Sequence, residues 1–274
     1  MPVTYKTIVV HLDEKHRRAE RLQLACALAA RFEAHLVGLF ALGAARIPSY
    51  ALAEAGPLVR DIEERRRGEA ARAAEEELRN AARRSGCKSE WRLSTQDAAA
   101  AVRLSARYAD LVVLGQPEPG EALARGFVEE VILSAGRPVL MVPYAGRFSD
   151  AGQRALVAWN ASREAARAVT DALPLLSRAQ SVEVVAFGPN GDHGATPAAD
   201  ISLFLARHGV KATAARQSTP EVDIGSQILS RAADANADLI VMGAYGHSRL
   251  RELALGGATR SMLDAMTVPV LMAH

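Results

Sequence analysis

The stretch Ala237-Asp238-Leu239-Ile240-Val241-Met242-Gly243 decides the fold, because the chain carries it twice. The other copy is Ala109-Asp110-Leu111-Val112-Val113-Leu114-Gly115. Each is a short apolar run that ends on glycine, too short for a helix and apolar on both faces, as a buried parallel strand is. Downstream of the two copies, Arg137-Pro138-Val139-Leu140-Met141-Val142 matches Val268-Pro269-Val270-Leu271-Met272-Ala273. Upstream, Thr7-Ile8-Val9-Val10-His11-Leu12-Asp13 matches Arg154-Ala155-Leu156-Val157-Ala158-Trp159-Asn160. Three matches in one order indicate a tandem duplication. Between the copies lies Tyr144 to Gln153, a polar, glycine-containing linker. The expected domains are therefore residues 1–146 and 152–274. The 274 residues allow two domains or one large one, and the repeat selects two.

The remaining elements fall between these anchors. In the first half, a helix is expected from about His16 to Arg31 and a strand over Leu36 to Leu42. A charged, solvated helix follows from about Pro57 to Arg84, with a third strand at Ser89 to Leu93. Ser94 with Asp97 reads as a capping box for the helix that ends near Tyr108. In the second half, strands are expected near Val182 to Phe187 and Ala212 to Arg216. Thr219-Pro220 reads as cap and first turn of the helix running to Ala235, and Pro174 should kink or end the first helix. Alternating strands and helices with doubly apolar strands predict an α/β protein of two doubly wound, five-stranded parallel domains.

Composition excludes several classes. Hydrophobic residues make up 49% and charged residues 23%, as in a soluble globular protein. A net charge of +2 and 5% aromatics argue against a nucleic-acid binder. The most membrane-like stretch, Leu22 to Ala45, is interrupted by Arg31, Glu33 and His35. No signal peptide is expected at the start. Cys26 and Cys87 read as small buried thiols in a reducing cytoplasm. No His-x-x-x-His or paired-Cys spacing supports a zinc site. Strand one is followed by neither a Walker loop nor a dinucleotide fingerprint.

In open α/β sheets ligands bind beyond the carboxyl ends of the strands. There the second half carries Gly243-Ala244-Tyr245-Gly246, then nine residues, then Gly256-Gly257-Ala258-Thr259. Glycine turns followed by a helix N-terminus make a phosphate cradle. Thr259 adds a hydroxyl, and His247, Arg249, Arg251 and Arg260 add positive charge.

This Gly243-x-x-Gly246, nine-residue, Gly256 spacing resembles the nucleotide-binding loop of universal stress proteins, and Val268-Pro269-Val270-Leu271 resembles their last strand. The resemblance covers nearly the whole chain as two consecutive domains. It implies sheets in the order 3-2-1-4-5, paired through their last strands as an internal pseudo-dimer. It also implies an adenine nucleotide such as ATP, with Mg2+ as a candidate companion. It places phosphates at Gly243, Gly246, Gly256, Gly257 and Thr259, and the base near the backbone of Phe187. Asn160 stands where nucleotide-binding members carry Asp. It offers hydrogen bonds but no charge to a metal. Gly257 stands where they carry Ser or Thr.

The first half keeps Asp13 but loses the second glycine, since Gly115 is followed by Gln116-Pro117-Glu118-Pro119. Arg125 stands where Gly256 does, and Glu118, Glu121, Glu129 and Glu130 oppose phosphate. The leading expectation is a cytoplasmic stress protein with one adenine-nucleotide site, in its second half, and a regulatory or protective role. Its partners would be the nucleotide, an unknown protein or a second copy of the chain, with no nucleic acid and no membrane. The alternatives are a nucleotide-free interaction scaffold and a weak ATP hydrolase that recruits Asp13 or His247.

Overall fold

The computed structural model describes residues 4–14, 17–43, 49–119, 122–187, 197–217, 222–246 and 257–274. The first half runs β1 (Thr7–Leu12), α1 (Arg18–Phe32), β2 (His35–Ala41), α2 (Ser49–Ser85), β3 (Lys88–Ser94), α3 (Ala98–Ala106), β4 (Leu111–Gly115), α4 (Ala122–Ser134) and β5 (Val139–Val142). The second runs β6 (Arg154–Trp159), α5 (Arg163–Leu176), β7 (Ser181–Phe187), α6 (Pro197–Arg207), β8 (Ala212–Gln217), α7 (Ile224–Asp234), β9 (Leu239–Gly243), α8 (Ala258–Ala265) and β10 (Val270–Ala273). Among the described residues no helix is long and apolar enough to cross a membrane.

All ten strands form one sheet in the order β3-β2-β1-β4-β5-β10-β9-β6-β7-β8. Each half thus has its strands in the order 3-2-1-4-5, all parallel. The halves join where β10 pairs antiparallel with β5, Leu271 opposite Leu140. The pseudo-dimer is therefore built into a continuous sheet.

The repeated motif has a structural reason. Asp110 Oδ2 accepts from the backbone N–H groups of Lys6 and Thr7, at 2.7 and 2.9 Å. Asp238 does the same one repeat later, accepting from Gly152, Gln153 and Arg154 at 2.9 to 3.1 Å. Each aspartate ties the start of its half's first strand to the start of its fourth. Pro138 and Pro269 correspond as well, since their carbonyls accept from Val112 and Ile240.

Strand alternation divides the core in two. Ile8, Val10 and Leu12 point to one face, with Leu24 and Leu28 of α1, Val157, and Leu173 and Leu176 of α5. Val9, Val112 and Leu114 point to the other, with Ile132, Ile240, Ile228 and Met262. Both clusters span both halves. Polar contacts reinforce the junction. Tyr5 Oη donates to the Asp171 carbonyl at 2.7 Å. Arg31 Nη1 donates to Asp150 Oδ1 and to the Ala151 carbonyl, both at 2.9 Å. Arg178 lies over the Phe32 ring, 4.5 Å from its centroid.

Several local expectations change. The charged helix starts at Ser49, ahead of Pro57, and is not solvated all round: Ala71, Ala74, Leu78 and Ala81 form a buried stripe on the core. Ser94 and Asp97 make no capping box. Asp97 alone caps α3, accepting from Ala100 N–H, while the Ser94 hydroxyl accepts from Gln96 N–H in the turn before it. Helix α7 is capped by Asp223 and begins at Ile224, so Thr219-Pro220 precedes it and lies outside the described residues. Pro174 sits in the last turn of α5, which ends two residues later at Leu176. Its missing N–H forfeits one helical hydrogen bond, and the helix stops within the same turn.

Cys26 is buried and Cys87 half-buried, both as free thiols. The Cys26 thiol beside it pulls the Cys87 thiol down to about 7, while hydrogen bonding with Cys87 and burial push Cys26 upward.

Candidate functional site

The strand register brings the carboxyl ends of β6, β7 and β9 together. Trp159 pairs with Ala186, so Asn160 and Phe187 follow side by side. Ala158 pairs with Met242, which brings Gly243 beside the end of β6. Three of the expected positions thus share one edge of the sheet, at the switch point between β6 and β9.

Asn160 turns the chain out of β6. Its Oδ1 accepts from Ser162 N–H at 3.2 Å, across Ala161, whose φ of 57° is in the left-handed region. Ser162 then caps α5, its hydroxyl accepting from Ala165 N–H at 3.1 Å. Phe187 closes β7 with its ring in the core, 9% exposed. Its backbone is what the strand end offers.

Gly243 is required by close approach. A Cβ built there would lie 2.5 Å from Ala165 N and 2.9 Å from Glu164 Cβ. The end of β9 therefore lies flush against the first turn of α5. At Gly246 a Cβ would lie 3.0 Å from Glu164 Oε2 and 3.6 Å from Ser162 Oγ. The glycine turn thus rests on the N-terminus of α5.

Gly257 is the N-cap residue of α8 and leaves its first turn without a side-chain cap. The dipole of α8 favours an acceptor at this end of the helix. Thr259 is 2% exposed, and its hydroxyl oxygen accepts from Tyr245 N–H at 3.1 Å, tying the glycine turn to α8. His247 and Gly256 lie outside the described residues.

Two carboxylates that sequence reasoning passed over stand at this edge. Glu164 is 3% exposed and lies under the glycine turn. Burial opposes its ionisation, but the Arg163 guanidinium, its own backbone N–H and Ser162 outweigh burial and hold the carboxyl below its ordinary value. Asp223 caps α7 through the N–H groups of Gly225 and Ser226. Burial again opposes, and hydrogen bonds from Ser226 and Ser261 hold the carboxyl low. Gly225 lets α7 close on α8, since a Cβ there would lie 2.6 Å from Ser261 Cβ. The signal for Glu164 was an acid in the first helical turn after the second-half strand one. Among the described residues no group of three His, Cys, Asp or Glu side chains could hold a metal ion by itself.

The matching edge of the first half is filled. The guanidinium of Arg21, 4% exposed, has its Nη2 2.9 Å from Asp13 Oδ1. Its Nη1 would lie 2.2 Å from a Cβ on Gly115, so the glycine here makes room for an arginine. Gln116, where a glycine turn would begin, reaches into the other half. Its Nε2 donates to the Leu263 carbonyl at 2.8 Å, and its Oε1 accepts from Tyr144 N–H at 3.0 Å. Arg125, at the position of Gly256, is ion-paired with Asp264 of α8. The residues that would build a cradle in this half hold the two halves together instead.

Residues 152–274 match the model of the universal stress protein family. Among solved structures, a universal stress protein from Archaeoglobus fulgidus DSM 4304 is similar in fold. It is 17% identical, with 97% of this chain and 95% of that one covered and a TM-score of 0.79. A protein from Pseudomonas aeruginosa UCBPP-PA14, titled as a universal stress protein, is 17% identical over 98% of this chain and 93% of its own, with a TM-score of 0.59. A shorter universal stress protein from Archaeoglobus fulgidus, solved in complex with dAMP, is 23% identical over 51% of this chain and 98% of its own, with a TM-score of 0.34. No curated protein matches. The family match lies in the second half of the chain, and the first half repeats the same strand order.

Proposed function

We propose that this protein binds ATP or a related adenine nucleotide in its second domain, and that occupancy sets a conformation or partner surface in a cytoplasmic stress response. The domains are read as residues 1–146 and 152–274. The observation that carries the reading is the paired close approach at Gly243 and Gly246, beside the side-chain-free N-terminus of α8. Backbone N–H groups and a helix dipole there suit phosphate. Asn160 would hydrogen-bond the ribose, Phe187 would border the base, and Gly243, Gly246, His247, Gly256, Gly257 and Thr259 would line the phosphates. Mg2+ is the candidate companion ion, held through the phosphates with few protein ligands, as that ion usually is. Turnover, if any, is expected to be slow. A homodimer of the two-domain chain is a further expectation.

Calorimetry with ATP, ADP and AMP tests the reading. One molecule bound per chain supports it, as does loss of binding in Gly246→Phe with the fold intact. No binding of any of the three at millimolar ligand refutes it. The competing reading, a nucleotide-free scaffold, is favoured by the buried Glu164 carboxylate at the glycine turn.

A further inference from the structure

Two thiols meet in the first half of the chain. Cys26 lies in the middle of α1 and is fully buried in the core. Cys87 is placed by the way α2 ends. Gly86, at a φ of 68°, turns the chain back, and Cys87 N–H donates to the Ala82 carbonyl at 3.2 Å. In such a glycine-terminated helix end, the residue after the glycine folds back over the last turn. Half-buried, Cys87 thereby packs on the core cluster that holds Cys26. The two thiols hydrogen-bond to each other there, and the exposed Arg84 brings positive charge to the pair. The next residue, Lys88, opens β3, paired with β2. Cys87 is therefore held between a helix end and a strand start. One sulfur of the pair is enclosed, and the other is within reach of a small solute.

We propose that Cys26 and Cys87 are a modification site, a dithiol that a hydroperoxide oxidises to a disulfide between α1 and the end of α2. Cys87, whose thiol is pulled down to about 7, meets the oxidant first. Its thiolate attacks one peroxide oxygen and the O–O bond breaks. A sulfenic acid forms on Cys87, and the other oxygen departs, taking up the proton that Cys87 gave up. Cys26 then attacks the Cys87 sulfur. The S–S bond forms, and the sulfenic hydroxyl leaves with the Cys26 proton as water. Two thiols lose two electrons in all, and one peroxide gains them. A resolving thiol in contact with the reactive one is the usual arrangement of such sites. In a reducing compartment the bond is transient and reversible. Closed, it ties residue 26 to residue 87 and restricts the unfolded chain.

The test is hydrogen peroxide on the folded full chain, with remaining thiols alkylated and the peptides mapped without reductant. The unmodified protein should lose both thiols together and yield a linked peptide holding Cys26 and Cys87, which dithiothreitol separates. Its urea midpoint should rise on oxidation. Cys26→Ala should stop at a Cys87 sulfenic acid, trapped by dimedone. Cys87→Ala should slow the oxidation of Cys26 about tenfold or more. The peptide map of the unmodified protein decides the matter if either variant does not fold. Cys87 fully oxidised without the linked peptide would overturn the proposal, as would Cys87 joined to a second chain in place of Cys26. So would Cys26 oxidised as fast without Cys87, or both thiols still free under peroxide that oxidises glutathione. An unmoved midpoint would overturn the tie between α1 and α2. Both thiols belong to the first half, so these outcomes and the nucleotide reading stand or fall separately.

Discussion

Gln116→Ala should loosen the joint between the two halves. The side chain is 4% exposed, and its amide bridges the Leu263 carbonyl in α8 and the Tyr144 N–H beyond β5. Leu263 lies in the last turn of α8, where carbonyls have no partner within the helix. Alanine would leave that carbonyl unmatched, at about 1–3 kcal/mol. Tyr144 is half-buried and its N–H can be rehydrated, so that loss falls at the low end. With the small cavity left behind, the total is about 3 kcal/mol. In a chain of this size that lowers the melting temperature by roughly 6–12 °C. Urea denaturation followed by tryptophan fluorescence is the assay, because Trp91 is in β3 of the first half and Trp159 in β6 of the second. In single-tryptophan versions both probes should report the same lowered midpoint. A shift below about 0.5 kcal/mol would refute the reasoning. So would a midpoint that moves for Trp91 and stays fixed for Trp159, since the halves would then be independent.

Gly243→Ala must push β9 away from the backbone of α5, where only 2.5 Å is available. The expected cost is about 2–3 kcal/mol by thermal denaturation, with nucleotide affinity falling at least tenfold. Stability and affinity both unchanged would show that the strand end has slack. Asp223→Ala removes the cap of α7 and should cost about 1 kcal/mol at neutral pH. The folded pKa of Asp223 is depressed, so its contribution is complete above the unfolded pKa and disappears as pH falls through the folded value. The two proteins should therefore converge in acid denaturation once the pH lies below the folded value, and a gap that persists in strong acid contradicts the assignment. Cys87 should alkylate with iodoacetamide with a rate midpoint at about pH 7, while the fully buried Cys26 resists. A midpoint near that of an ordinary thiol, about 8.5, would exclude the lowered value.

The fold was legible because its signals are local and repeated. Asp110 and Asp238 mark the same strand-tying carboxylate in both halves, and each apolar run around them is a buried strand. The stripe Ala71, Ala74, Leu78 and Ala81 was also legible at helical spacing, although the surrounding charge masked it. The choice of helix caps was not, because Ser94 against Asp97, or Thr219 against Asp223, turns on where the first turn actually starts. At the candidate site, the placement of Asn160, Phe187 and Gly243 at one edge followed from strand order. The parts played by Glu164 and Arg21 did not. Both depend on how closely β9 or β4 approaches the helix of a distant strand, a long-range distance that no spacing encodes.

The antiparallel join of β5 to β10 has a consequence for synthesis. Val139 to Val142 form an apolar strand whose outer edge has no neighbour until β10 exists. Ribosomes emit about 5–20 residues per second, and the two strands are separated by roughly 130 residues, so that edge waits on the order of ten seconds. During the wait it is a template for any other extended chain, including a second nascent copy. Fusing the two halves in one polypeptide answers that hazard by tethering the right partner, which raises its local concentration over any stranger's.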